Sequence, residues 1–150
     1  QVHIVGSMEK FAPFGSVIED VIPQCGPLGG IYSALGATST DRNLILAVDL
    51  PFMNASFLHY LTSRSAESDA VVTVPRLDGR WQPLCAVYRK TFRDHAQAAL
   101  RDGNNRIDAV YPSVVVSIVN DAEIDRAGFS PELFRNLNTP EDWEQARHRL

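Results

Sequence analysis

The sequence has only two cysteines, Cys25 and Cys85, far apart and in no C-x-x-C pair. A disulfide framework is therefore not expected, and both read as reduced thiols of a cytoplasmic protein. No apolar run approaches the roughly 20 residues of a membrane span, and no signal-peptide pattern opens the chain. Positive charge is not in excess. The 14 Lys and Arg stand against 18 Asp and Glu, a net −4, which argues against a nucleic-acid binder working through a basic face. None of the four histidines has a partner spacing that suggests a metal site or a triad, and His59, His95 and His148 fall on predicted helices as surface groups. Repeats, low-complexity tracts and linkers are all missing.

What is present suits one globular domain. The 150 residues, 45% hydrophobic and 21% charged, are enough to bury a core. Apolar strands are expected at Gln1 to Val5, Val17-Ile18, Leu44 to Val48, Ala70 to Val74, Leu84 to Tyr88 and Val114 to Val119. Helices are expected after Gly30, from Asn54 to about Ser63, over Thr91 to Arg101 and briefly over Ile107 to Tyr111. Leu77-Asp78-Gly79-Arg80 carries the Asp-Gly hairpin signal, so the strand after it returns antiparallel. Ser130-Pro131-Glu132 starts one helical turn. Thr139-Pro140-Glu141-Asp142 caps a final helix that packs Trp143 and Ala146. Strands alternating with helices predict an α/β domain with a mostly parallel sheet and one antiparallel member.

The chemistry-bearing candidates are few. Residues 43–53 read N-L-I-L-A-V-D-L-P-F-M. An apolar run without alternation suits a strand buried on both faces, and its carboxyl end points to the crevice where α/β proteins bind ligands. Asp49 stands there, either as a turn or capping residue or as a metal ligand. One carboxylate is enough for magnesium on a nucleotide, because phosphate oxygens complete the shell. Gly26-Pro27-Leu28-Gly29-Gly30 precedes a helix and reads as a loop. It is either a tight turn or bare backbone that lets a base or phosphate approach. It is not a P-loop, since no lysine and Ser/Thr follow at the required spacing. Asn136 and Asn138 lie two residues apart in an extended segment and so share a face; they line a site or simply build the turn into the last helix. Gln82 and Arg80 sit at the entrance of a hairpin strand. Cys85 reads as a small core residue.

The order C-G-P-L-G-G-I, L-A-V-D-L-P-F, W-Q-P-L-C-A-V-Y-R and F-R-N-L-N-T-P-E-D-W is far more specific than any one of its parts. From about Val2 to Trp143 the chain resembles the molybdenum cofactor guanylyltransferases. Those enzymes have a three-layer, Rossmann-like fold of the nucleotide-diphospho-sugar transferase type, and move GMP from Mg-GTP onto molybdopterin. The resemblance implies Asp49 as the catalytic residue and Mg2+ ligand. It implies GTP contacts at Asp20, Gly26, Pro27, Leu28 and Gly29. Gln82, Asn136 and Asn138 fall on the molybdopterin side, with Arg80 near them. It admits molybdoenzymes or their chaperones as partners, with no nucleic acid and no membrane. Rival readings are a cytidylyl or other transferase of the same fold, and a degenerate, non-catalytic binding protein.

The sequence departs from that pattern at its start. The family opens with a strand and a loop, L-A-G-G-x-S-x-R-M-G followed by a lysine, that cradles the triphosphate; Gln1 falls at what resembles the family's second strand. The expectation is a single domain over residues 1–150, incomplete at its N-terminus, with nucleotide binding weak or absent and no activity for these 150 residues on their own.

Overall fold

The structure is a computed structural model and describes residues 1–137 together with Glu144 and Arg147. Apart from Glu144 and Arg147, which are helical, the expected final helix with its Thr139 cap lies outside the described residues, as do Asn138 and His148. In chain order the elements are β1 (Ile4–Val5), α1 (Met8–Phe11), β2 (Val17–Ile18), α2 (Gly26–Ala37), β3 (Arg42–Leu46), α3 (Ala55–Ala66), β4 (Val72–Leu77), β5 (Arg80–Trp81), β6 (Cys85–Arg89), α4 (Phe92–Arg101), β7 (Val116–Asn120) and α5 (Asp121–Arg126). Short 3-10 turns occupy Ala12–Phe14, Asp108–Ser113 and Pro131–Phe134.

Local chemistry explains most boundaries. The Asn54 side chain accepts the Phe57 N–H and starts α3, and Asn120 and Ser130 cap α5 and the Pro131–Phe134 turn in the same way. Asp78 (φ 47) and Gly79 (φ 75) both take the left-handed region, as the tight hairpin turn between β4 and β5 requires. Three segments differ from expectation, among them α5, where no helix is expected. The stretch after Ser7, expected as a loop, forms α1 and a 3-10 turn. Gly26–Gly30, expected as a loop from its glycines, is the first turn and a half of α2. Its composition serves packing. A Cβ on Gly29 would sit 2.7 Å from the Cys25 Cβ, so only glycine allows the turn to close, and Pro27 occupies an early helical position where no amide partner is needed.

The main sheet runs β3-β6-β4, with β5 and β7 also pairing β4. The pairs β3–β6, β4–β6 and β4–β5 are antiparallel, and only β4–β7 is parallel. The expected mostly parallel sheet is corrected accordingly. The antiparallel return strand was foreseen, but β6 lies between β3 and β4, so each of them meets it rather than the other. A second, two-stranded parallel sheet joins Ile4 to Val17 and Val5 to Ile18.

Two cores cover the two faces of the main sheet. Along β6 the alternation is clean: Ala86 and Tyr88 face α2 and α4, while Cys85 and Val87 face α3 and α5. The expected three layers result. Burial on both faces does not hold for the whole run of residues 44–48. The strand ends at Leu46, and Leu46 and Val48 are exposed, because β3 has one sheet neighbour among the described residues.

Candidate active site

Asp49 lies in the turn that follows β3. Ala47 donates its N–H to the Leu84 carbonyl at 2.7 Å, which fastens this strand end to the turn between β5 and β6. The Asp49 carbonyl accepts the Leu137 N–H at 3.1 Å. Its Oδ2 accepts from the Asn136 amide at 3.1 Å, a contact between residues 87 positions apart. The other carboxylate oxygen, Oδ1, is buried and has no protein partner. A carboxylate oxygen shielded from water without a donor is costly, and a hard divalent cation is the natural relief. The residues present therefore fit magnesium. Three-residue His/Cys/Asp/Glu clusters of the kind that cage a metal are absent among the described residues.

Asp20 leaves the end of β2 and is exposed. The next residue, Val21, donates its N–H to the Ser33 hydroxyl at 2.9 Å, and that hydroxyl donates to the Gly29 carbonyl at 2.9 Å. These bonds hold Asp20 against the start of α2; a Cβ on Gly30 would meet the Asp20 carboxylate at 3.7 Å. Within the glycine-rich stretch Gly26 and Pro27 are exposed, whereas Leu28 and Gly29 are buried, so a ligand reaches the first two directly.

A cavity of about 450 Å³ opens between α2, the β4–β5 hairpin and the segment before the Asp108–Ser113 turn, lined by Pro27, Arg80, Trp81, Pro83, Arg106 and Asp108 among others. Arg106 and Asp108 form a two-bond pair, at 3.1 and 2.7 Å, and the guanidinium beside it holds the Asp108 carboxyl below the usual range. The hairpin wall is set by the Asp78 N–H on the Asp121 carboxylate and by the Arg76 guanidinium 4.8 Å from the Trp81 ring centroid. Gln82 lies in the backbone turn beside the cavity, donating its N–H to the Pro75 carbonyl.

The structure thus joins Asp49 to Asn136, Asp20 to the start of α2, and Pro27 to Arg80. Trp81, Arg106 and Asp108 carry no sequence signal of their own. They come together only because the hairpin and the segment after α4 meet across the cavity. Cys85 is buried in the core and its thiol is pushed up to about 12 by that burial, which fits packing rather than nucleophilic chemistry.

Together the main sheet, the helical layers on its two faces and the carboxylate that follows β3 define a three-layer α/β domain. The model of the MobA-like NTP transferase domain matches residues 1–115, and the chain belongs to that family of nucleotidyltransferases. It is 31% identical over 146 residues to the probable molybdenum cofactor guanylyltransferase of Clostridium perfringens, covering 95% of this chain and 73% of that protein. The protein of the same description from Carboxydothermus hydrogenoformans is 33% identical, covering 97% and 73%. Among solved structures, the molybdopterin-guanine dinucleotide biosynthesis protein A of Archaeoglobus fulgidus superposes with a TM-score of 0.83 at 23% identity, covering 98% of this chain and 77% of that one.

Proposed function

We propose that this domain transfers GMP from Mg-GTP to molybdopterin in molybdenum cofactor biosynthesis. An oxygen of the molybdopterin phosphate attacks the α-phosphorus of GTP, one P–O bond forms, and the bond to pyrophosphate breaks. Such transfers depend on positioning and charge neutralisation more than on covalent help. The observation that carries the reading is the buried, unpartnered Oδ1 of Asp49. Asp49 would hold Mg2+, which neutralises charge on the phosphate oxygens. Asn136 fixes the other carboxylate oxygen and so aims the free one. Asp20, Gly26 and Pro27 border the GTP side, with Leu28 and Gly29 shaping that turn from beneath. Gln82, Asn136 and Asn138 belong to the molybdopterin side, and the cavity next to Gln82, lined by Trp81 and Arg80, offers room and positive charge. Action in the cytoplasm, and contact with molybdoenzymes or their chaperones, belong to the same reading; no described helix is long and apolar enough to cross a membrane.

Substituting Asp49→Ala tests this. Guanylyl transfer should fall on the order of 10³-fold or more, as for loss of a central electrostatic group, while the melting temperature changes little because an orphaned buried oxygen is removed. Retained transfer would take Asp49 out of the reaction. Running GTP against CTP in the same assay tests the base, and preference for CTP would overturn the guanylyl assignment.

A further inference from the structure

Tyr88 is fully buried and Tyr111 nearly so, yet both carry a hydroxyl. The Tyr88 hydroxyl donates to the Pro83 carbonyl at 2.8 Å. Because a phenol has a single proton, the 3.2 Å contact between the two hydroxyls must run from Tyr111 to Tyr88. The result is a directed chain, Tyr111 to Tyr88 to Pro83. Burial raises the Tyr88 phenol well above its ordinary pKa and pushes Tyr111 up to about 12, so neither loses its proton near neutral pH.

Packing alone does not explain these hydroxyls. Phenylalanine fills nearly the same space without the cost of burying two polar groups. Their target is the turn from Gln82 to Cys85, closed by the Cys85 N–H on the Gln82 carbonyl at 3.0 Å. That turn interrupts the strand between β5 and β6 and faces two ways. Through the Leu84 carbonyl it holds Ala47, two residues before Asp49. Through Pro83 and the neighbouring Trp81 it forms cavity wall, and the Tyr111 ring meets Trp81 edge-on at 5.0 Å.

We propose that Tyr88 is a positioning residue whose hydroxyl, through the Pro83 carbonyl, sets the cavity wall formed by Pro83 and Trp81. Its kinetic consequence rests on the transfer reading above; its structural consequence does not. In Tyr88→Phe the KM for molybdopterin should rise about tenfold, equivalent to about 1.4 kcal/mol and in the range of one buried hydrogen bond, while the KM for GTP stays within about twofold. Tyr111→Phe leaves the bond to Pro83 in place and should have the smaller effect. A substrate-free measurement accompanies the kinetics. In a Trp143→Phe background Trp81 is the only tryptophan left, and acrylamide quenching of its emission should increase on Tyr88→Phe but little on Tyr111→Phe. An unchanged molybdopterin KM, or an equal rise in both KM values, overturns the proposal. If wild type shows no transfer to molybdopterin, the functional reading fails by itself, and unchanged Trp81 quenching then overturns the positioning role separately.

Discussion

Asp49 follows a strand laced into a five-stranded sheet, whereas Asp20 follows a two-residue strand whose partner is another two-residue strand. On the Asp49 side the strand end is tied to the turn before β6 by Leu84, and Asp49 to the segment after Phe134 by Asn136 and Leu137. The layer beneath is aromatic: Phe57 meets Phe129 and Phe134 edge-on, each at 5.1 Å. On the Asp20 side the apolar residues Val2, Val5 and Phe14 are exposed, and Ser33 supplies the link to α2. The carboxylate suited to a cation is fixed by the sheet's own core. The one facing the start of α2 is held there by the bonds of Val21 and Ser33 alone, fewer ties among the described residues than fasten the Asp49 turn.

Three changes would sharpen or break this contrast. Phe57→Ala removes a fully buried ring from the layer under Asp49 and should cost about 3–5 kcal/mol in urea unfolding; a loss below about 1 kcal/mol would mean that this side is not anchored by its core. Glu123→Gln comes next. Glu123 accepts from the Tyr60 hydroxyl at 2.7 Å and from Arg64 at 2.6 Å, tying α5 to α3. Burial pulls its pKa up, but the bonds from Arg64 and Tyr60 outweigh burial and hold it below the ordinary 4.5. A depressed folded-state value stabilises above the unfolded pKa and ceases to as pH falls through the folded one. The variant should therefore lose about 1 kcal/mol at pH 7, discounted for partial exposure, and the gap from wild type should close in acid below about pH 4. A gap unchanged in acid would remove the charge from the explanation. The smallest effect is expected from Phe14→Ser, under about 0.5 kcal/mol. A cost near that of Phe57→Ala would show that the two-stranded part is core, and the contrast between the two sides would be lost.

Elements governed by neighbours in sequence were legible. Asn54 and Ser130 act as caps, Asp78-Gly79 makes the hairpin, and Gly103 (φ 74) stops α4, because each effect spans only a few residues. Gly26 to Gly30 misled, since the same glycines that favour a loop also permit the close approach of Cys25 to Gly29. The helix α5 gave too short a periodic signal to be expected.

By itself the sequence determined the caps, the turns, the alternation of β6 and the presence of a carboxylate after β3, all set by backbone preferences and side-chain period. Only the tertiary structure decided that β6 lies between β3 and β4, that Asn136 reaches Asp49 across 87 residues, and that Trp81 and Arg106 share one cavity. Sheet order and long-range contact are fixed by which apolar faces can be buried together, a property of the packed chain that no local window contains.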